Sequence, residues 1–251
     1  MGKIIAMVNQ KGGVSKTIST INIGGGLARK GNKVLLIDFD SQGSLSLACG
    51  VKAYEQNKTI YEVLNGDCSA KDSIIHKKHF DIIPSDLRLA KSEMEMLSIV
   101  GREQVLQEVL KTIKNDYDFI LIDCSPSLGI LTYNALTSCD FVLIPTLSDY
   151  LPIVGISQLF LSIEQIKKRL NPSIEVLGIF IAMYDSRKNI VKDIAENLEA
   201  RFPKEMMKTR IRMNVAISEA TTLGQDIFEY DSKSNGAIDF MNLVDELLSR
   251  L

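Results

Sequence analysis

NQKGGVSKTIST, residues 9–20, follows the short apolar run IIAMV (residues 4–8) and leads into a sequence that favours a helix. A glycine-rich turn between a strand and a helix lets backbone N–H groups and the helix N-terminus bind phosphate. Lys16 and Thr17 stand where such a loop has a phosphate-binding lysine and a magnesium-binding hydroxyl, and Gly12 and Gly13 let the backbone approach the phosphates. The stretch therefore predicts a phosphate-binding loop between the first strand and the first helix.

Two positions of this stretch depart from the general phosphate-loop pattern Gly-x-x-x-x-Gly-Lys-Ser/Thr. Gln10 occupies the first glycine position and Ser15 the second. The stretch also carries a second lysine, Lys11, at the front of the loop, which the general pattern does not explain. The flanking strand and helix favour a phosphate loop in spite of these departures.

The overall composition is typical of a soluble protein. Of the 251 residues, 45% are hydrophobic and 24% are charged, and no apolar run reaches the roughly 18 residues that a membrane-spanning helix needs. We expect residues 1–251 to form a single domain without an N-terminal helix-turn-helix extension. No basic and apolar leader precedes the first strand, which predicts a cytoplasmic protein.

Charge and cysteine content narrow the possible functions. A net charge of −2 excludes a globally basic nucleic-acid binder, so any contact with DNA has to come from a local patch. No two cysteines form a CxxC pair, which favours reduced, partly buried thiols over disulfides or a zinc site. The four cysteines are Cys49, Cys68, Cys124 and Cys139.

Short apolar runs alternate with helical stretches along the whole chain. Apolar runs without polar alternation are typical of strands that are covered on both faces. The pattern predicts an α/β fold with a doubly wound, mainly parallel sheet flanked by helices, of the P-loop NTPase type. The predicted strands are residues 3–8, 33–38, 80–85, 119–123, 141–145 and 176–184, and the predicted helices include 17–30, 102–114, a long one from about 152 to 171, and 237–251.

Acidic residues end two of the predicted strands. Asp38 and Asp40 close the run KVLLIDFD, and Asp123 closes FILID. In open α/β sheets, ligands lie at the carboxyl ends of the strands, and Mg²⁺ is usually held by one or two carboxylates together with phosphate oxygens and water. These three acids therefore predict a magnesium site beside the phosphate loop.

The last predicted helix, residues 237–251, is amphipathic, so a membrane-surface helix has to be considered. Its acids outnumber its bases, whereas anionic lipid favours a polar face rich in lysine and arginine. Packing against the rest of the domain is the better interpretation.

Five stretches together resemble the ParA/Soj branch of the deviant Walker-A ATPases, which also includes MinD, and the likeness runs over nearly the whole chain. Ser15 stands where a glycine is usual in the family, and Ser41 and Ser125 stand where prolines are common. The stretches are KGGVSKT (11–17), LLIDFDSQGSLS (35–46), FILIDCSPSLGILTYNAL (119–136), LIPTLSDYLPIVGISQL (143–159) and SEATTLGQDIFEYDSKSNGA (218–237).

The resemblance implies ATP and Mg²⁺ as cofactors and a role for each residue of the loop. Lys11 would cross to the nucleotide of a second subunit, so that a homodimer encloses two ATP molecules, and Lys16 would contact the β- and γ-phosphates. Asp40 would orient the attacking water. Thr17, Asp38 and Asp123 would hold the metal, and the nucleotide-binding residues would be Lys11, Gly12, Gly13, Val14, Ser15, Lys16, Thr17, Ile18 and Met183.

A basic segment, RFPKEMMKTRIR (201–212), is the candidate DNA surface, because ParA relatives bind double-stranded DNA without sequence preference. Its five basic residues and one acid give a net charge of +4, and Arg187 matches a family arginine associated with DNA binding. Relatives often read Ile-Pro-Arg-Asn-Val where this chain has IRMNV (211–215), so the arginine is displaced by one position. The predicted DNA-binding residues are Arg187, Lys188, Lys208, Arg210 and Arg212.

The favoured function is that of a DNA-partitioning ATPase, cytoplasmic and associated with the nucleoid. ATP would drive dimerisation and DNA binding. A ParB-like centromere-binding partner would stimulate the slow hydrolysis of ATP and so release the dimer from DNA, and the process served would be the segregation of a plasmid or a chromosome. One alternative is a MinD-like regulator that cycles on a membrane. The other is an iron–sulfur carrier on the same scaffold, for which Cys124 and Cys139 are the only plausible cysteine pair.

Overall fold

A computed structural model describes residues 2–148 and 152–251, and within them eight strands form one sheet in the order β3-β4-β2-β5-β1-β6-β7-β8. Every neighbouring pair is parallel except β3 with β4. Residues 149–151 of the stretch 143–159 lie outside the described residues. The strands are β1 Lys3–Met7, β2 Val34–Phe39, β3 Ile75–His76, β4 Asp81–Ile83, β5 Phe119–Cys124, β6 Phe141–Leu147, β7 Glu175–Tyr184 and β8 Met206–Arg212.

Helices cover both faces of this sheet. Alternate residues of β1 belong to different apolar clusters: Ile4 and Ala6 to one, Ile5 and Met7 to the other. This double burial explains why the strand sequences are apolar runs and confirms the predicted doubly wound, mainly parallel architecture. The helices are α1 Lys16–Arg29, α2 Ser44–Ala48, α3 Ile60–Asn65, α4 Leu89–Glu95, α5 Val105–Lys111, α6 Ile130–Ser138, α7 Pro152–Arg169, α8 Asn189–Arg201, α9 Val215–Thr222, α10 Ile227–Asp231 and α11 Asn235–Arg250.

Helix α11 uses its apolar face inside the fold. Phe240, Leu243, Val244 and Leu247 are buried in the same cluster as residues of α1 and β2. The predicted packing of this helix against the domain is thus observed. In the part of the chain that the structure describes, no helix is both long enough and apolar enough to cross a bilayer.

One predicted helix differs in length from the structure, and the strand in the basic segment was not predicted. The helix predicted over residues 102–114 is shorter, because only Val105–Lys111 is α-helical and 3₁₀ turns precede and follow it. The basic segment 201–212 contains the strand β8, which pairs with β7 at the edge of the sheet. The alternation of buried and exposed residues in β8 is hard to recognise in the sequence, because several of its residues are charged. Charged side chains are common on edge strands, where they remain solvated.

Gly50 and Gly224 bring two backbones into contact. Both have left-handed backbone angles, φ 68° and 71°, and a Cβ on Gly224 would lie 2.6 Å from the Cα of Gly50. We expect Gly224→Ala to lower the free energy of unfolding by about 2–5 kcal/mol, the sum of a left-handed penalty and overpacking. Gly31→Ala is the matched control, since Gly31 has φ 88° but open space around its Cβ position.

Denaturant titration of the two variants measures the difference. The control should lose only about 1–2 kcal/mol, the cost of a non-glycine residue in the left-handed region. Equal losses in the two variants would contradict the steric argument.

Candidate active site

The loop between β1 and α1 has two residues, separated by a single position, in the left-handed region of backbone angles. Gly13 has φ 75° and Ser15, the residue before α1, has φ 70°. A serine in this conformation costs about 1–2 kcal/mol, which explains why the general pattern has glycine there. Gly12 and Gly13 are exposed, and nothing lies within 4 Å of their Cβ positions. The loop backbone is therefore open to a ligand.

Lys16 is folded over this loop. Its side chain is buried, and its ammonium Nζ donates to the backbone carbonyls of Asn9 at 3.2 Å and Lys11 at 3.4 Å. Burial lowers the pKa of Lys16, while the nearby Asp123 carboxyl opposes that shift. The two hydrogen bonds that the structure gives this ammonium go to neutral carbonyls, and a cation with such partners at a helix N-terminus can exchange them for an anionic ligand.

The structure brings two predicted metal-binding carboxylates to adjacent positions. Asp38 of β2 and Asp123 of β5 are directly paired in the parallel register, and both are almost fully buried. Thr17 donates its hydroxyl to Asp123 Oδ2 at 2.7 Å. Asp40 follows β2 at the same sheet edge, and its carboxylate accepts the backbone N–H of Gln42 at 3.0 Å.

Both buried carboxyls hold their protons more tightly than usual. Burial, together with the charge of Asp123, raises the pKa of Asp38 to about 8. Burial also raises the pKa of Asp123 to about 7, against the hydrogen bond from Thr17 and the charge of Lys16. A bound cation would stabilise the charged forms of these two neighbouring carboxyls. Together with the Thr17 hydroxyl, they are oxygen ligands of the kind that Mg²⁺ prefers.

These shifts predict how the stability of the protein without nucleotide and metal depends on pH. Because the folded-state pKa values are raised above 3.8, the native state binds more protons than the unfolded chain. The free energy of unfolding should therefore fall as pH rises towards about 7 to 8, then level off. The slope is at most about 1.4 kcal/mol per pH unit for each carboxyl.

Denaturant titrations between about pH 5.5 and 8.5 measure this dependence, with Asp38→Asn as the comparison. The variant lacks one titrating carboxyl and should show a shallower fall. An identical slope in the wild-type protein and the variant would contradict the assignment.

Two adjoining cavities lie along the loop. One of about 370 Å³ is lined by the loop, Asp40 and Cys124, and the other, of about 330 Å³, has mainly apolar walls. Ser15, Ile18 and Met183 line both cavities. The two cavities therefore adjoin and form a cleft with two ends, a polar end where Lys16, Thr17 and Asp40 supply charged and hydroxyl groups, and a more apolar end.

The remaining loop residues frame this cleft. Val14 is buried beneath the loop, and Lys11 is half-buried at its front. The side chain of Asn9 fixes the loop to the sheet: its Nδ2 donates to the carbonyl of Pro145 at 2.7 Å, and its Oδ1 accepts the N–H of Lys11 at 2.9 Å. Asn9 was not among the predicted site residues, although a polar residue directly after the predicted strand 3–8 is a recognisable signal.

The five basic residues predicted to bind DNA lie around β7 and β8, but three of them are ion-paired. Arg187 pairs with Asp185 at 2.8 Å and is 85% exposed. Arg210 pairs with Glu199 and lies 4.7 Å from the ring centre of Tyr184.

Arg212, the third ion-paired residue, pairs with the buried Asp239 of α11 at 2.7 Å. Lys188 and Lys208 are exposed. The local positive charge is therefore smaller than the sequence count of +4 indicates.

The cysteines lie in apolar surroundings. Cys49, Cys124 and Cys139 are buried and Cys68 is half-buried. Burial raises the pKa of the Cys124 and Cys139 thiols, which disfavours the thiolates that metals bind. These surroundings are typical of cysteines that pack in the core, and not of cysteines that bind an iron–sulfur cluster between two subunits.

Comparison with known proteins places the chain among nucleotide-binding partition proteins. An AAA domain family model matches residues 2–176. The chain is 39% identical to the sporulation initiation inhibitor protein Soj of Bacillus subtilis, covering 98% of each chain. It is 36% identical to the chromosome partitioning protein ParA of Caulobacter vibrioides, covering 99% of this chain and 94% of that protein.

The same fold occurs in a solved structure of a protein that is named for a different activity. Cobyrinic acid a,c-diamide synthase of Mycobacterium smegmatis, with bound ATP analogue and magnesium, has a TM-score of 0.88 and 30% identity. The match covers 99% of this chain and 95% of that one. Because one scaffold serves proteins with different named activities, the function has to be argued from the site.

Proposed function

We propose that this chain, which belongs to the ParA/Soj family of partition ATPases, binds ATP with Mg²⁺ and uses slow hydrolysis to control a DNA-bound dimer. The observation that carries the proposal is the cluster of residues at the start of α1. Lys16 and Thr17 line the cavity beside the loop, Thr17 donates its hydroxyl to the buried Asp123, and Asp123 is paired with the buried Asp38 in the sheet. A triphosphate fits the polar end of the cleft, and a nucleobase fits the apolar end beside Met183.

Each residue of the cluster has a defined task. Lys16 exchanges its two carbonyl partners for phosphate oxygens, and Gly12, Gly13 and Ser15 present backbone N–H groups. Thr17, Asp38 and Asp123 hold Mg²⁺, which when bound neutralises charge on the phosphates. Asp40, on the wall of the phosphate end, orients the attacking water.

Dimerisation depends on the second lysine of the loop. Lys11 reaches the phosphates of the neighbouring subunit, so that two ATP molecules lie between two chains. A cation supplied by the partner neutralises phosphate charge only in the dimer, and nucleotide binding and association are thereby linked. A ParB-like, centromere-bound protein stimulates hydrolysis and ends the lifetime of the dimer.

DNA binding is assigned to the surface formed by Arg187, Lys188 and Lys208, with Arg210 at its margin. Arg212 is better suited to anchoring β8 to α11, since its guanidinium donates three hydrogen bonds to the buried Asp239. One subunit carries few free charges, so tight binding requires the two patches of a dimer. Exposed lysines and arginines without base-reading geometry bind the phosphate backbone of any sequence.

The two alternatives fit less well. A MinD-like membrane helix would need the apolar face of α11, which the core already buries. An iron–sulfur carrier would need thiols at a subunit surface, whereas Cys124 and Cys139 are both 1% exposed.

Charge reversal tests the DNA surface. The double variant Arg187→Glu, Lys188→Glu should bind a random-sequence duplex at least about tenfold more weakly, and the slope of log affinity against log salt should fall by up to about 0.9 per lost phosphate contact. Fluorescence anisotropy with ATP and Mg²⁺, over a series of salt concentrations, measures both quantities.

The control is the double variant Lys52→Glu, Lys111→Glu, which changes the charge equally at two other exposed lysines. It should keep most of the affinity, and dimerisation with ATP should be unaffected in both variants. An unchanged salt slope in the first variant would move the DNA surface away from β7 and β8.

A further inference from the structure

A chain of hydrogen bonds links the candidate active site to the connection after β4. Ser46 of α2 donates to Asp38 Oδ2 twice, through its backbone N–H at 2.8 Å and its hydroxyl at 2.7 Å. The same hydroxyl oxygen accepts the backbone N–H of Ser85 at 3.0 Å. Asp38, Ser46 and Ser85 are each 0% exposed. The Ser46 hydroxyl is therefore held in one orientation from both sides.

Asp38 is bonded in turn to the segment that carries Asp40. The backbone N–H of Asp40 donates to the other carboxylate oxygen, Asp38 Oδ1, at 3.3 Å. Because two bonds from Ser46 fix Oδ2, they also fix the plane of the carboxylate and the direction of Oδ1. The position of the Asp40 backbone thus depends on Ser46.

The local backbone holds Ser46 in this place. Gly43, directly before α2, has φ 63°, and a Cβ there would lie 2.7 Å from the carbonyl oxygen of Ser85. Leu45 and Ala48 anchor α2 in the apolar cluster below. The short helix consequently presents Ser46 to Asp38 with little freedom to turn.

We propose that Ser46 is a positioning residue for ATP hydrolysis, acting through Asp38 on the backbone that carries Asp40. The inference rests on the proposed function, since it takes Asp40 as the group that orients water. Ser46 lines neither of the two cavities that form the cleft, so it would not contact the nucleotide directly, and we expect its loss to affect turnover more strongly than nucleotide affinity. A purely structural role, in which the hydroxyl only compensates a buried carboxyl, would change stability without a specific effect on turnover.

The test compares turnover and ATP affinity in Ser46→Ala and Ser46→Thr. The alanine variant should lower kcat by about 10- to 100-fold, the range expected when a reacting group is misplaced, and should change the ATP dissociation constant less than about twofold. The threonine variant keeps the hydroxyl and should restore kcat to within about threefold of wild type. If Ser46→Ala does not fold, Ser46→Cys replaces it, with the same expectation, because it keeps the size and weakens the donor.

Ser92→Ala is the matched control, because Ser92 is equally buried and its hydroxyl has no hydrogen-bond partner among residues 2–148 and 152–251. Thermal unfolding of all variants separates lost stability from lost turnover. The inference would be overturned if folded Ser46→Ala or Ser46→Cys kept the wild-type kcat, or if Ser92→Ala lowered kcat by as much. It would also be overturned if Ser46→Thr did not restore kcat. Absence of ATP hydrolysis in the wild-type protein would instead overturn the proposed function.

Discussion

Lys16→Ala is expected to weaken ATP binding by at least about 100-fold. The lysine supplies the one buried cation of the loop, and charge-assisted hydrogen bonds to phosphate contribute about 1.5–3 kcal/mol each. Alanine also leaves the carbonyls of Asn9 and Lys11, which the ammonium now satisfies, without that donor. Isothermal titration with ATP and Mg²⁺ measures the loss.

Lys11→Ala is the matched comparison for this experiment, since it removes the other lysine of the same loop. Its ATP affinity as a monomer should remain near that of the wild-type protein, while ATP-dependent dimerisation, followed by light scattering, should disappear. Unchanged ATP affinity in Lys16→Ala would remove the phosphate-site assignment. Loss of ATP binding to the monomer in Lys11→Ala would contradict a role in the partner's site.

Asp40→Ala is expected to lower kcat by about 10²- to 10⁴-fold, the range typical of losing a group that orients or deprotonates a nucleophile. ATP binding should persist, because the carboxylate lies on the cavity wall and bonds only the N–H of Gln42 among the contacts the structure gives it. The variant should therefore accumulate as an ATP dimer that stays on DNA. Single-turnover hydrolysis and DNA dissociation rates measure the two effects.

A distant acid provides the control for Asp40. Asp67 is exposed at the end of α3, and Asp67→Ala should hydrolyse ATP at the wild-type rate. Normal turnover in Asp40→Ala would show that another group orients the water.

The fold was predictable because its signals are local. Each buried strand is an apolar run, and parallel strands end at one sheet edge, so Asp38, Asp40 and Asp123 were expected together and lie together. The strand β8 escaped prediction because its outward residues are charged, as at many sheet edges. Sequence also could not reveal that Gly50 and Gly224 touch, since that contact joins segments far apart in the chain.

The candidate site was predictable only as a set of residue types. The ion pairs of Arg210 and Arg212 involve acids 11 and 27 residues away, so the basic count overstated the free charge of the segment. Ser46 was missed because a serine eight residues after Asp38 has no distinctive spacing. Its importance comes from α2 turning it back towards the strand end.

The order of the strands has a consequence for how nucleotide could govern DNA binding. The phosphate loop follows β1, and β8 lies three positions further along the sheet, a lateral distance of about 14 Å at the usual strand spacing. Physiological salt screens exposed charges beyond about 8 Å. We therefore expect removal of one phosphate charge to have little effect at the exposed Lys208 of that edge strand, whereas Arg212, at the end of the strand, lines the apolar part of the cleft. Under the proposed function, we therefore expect hydrolysis to release DNA by separating the two subunits and not by weakening the electric field at the DNA surface.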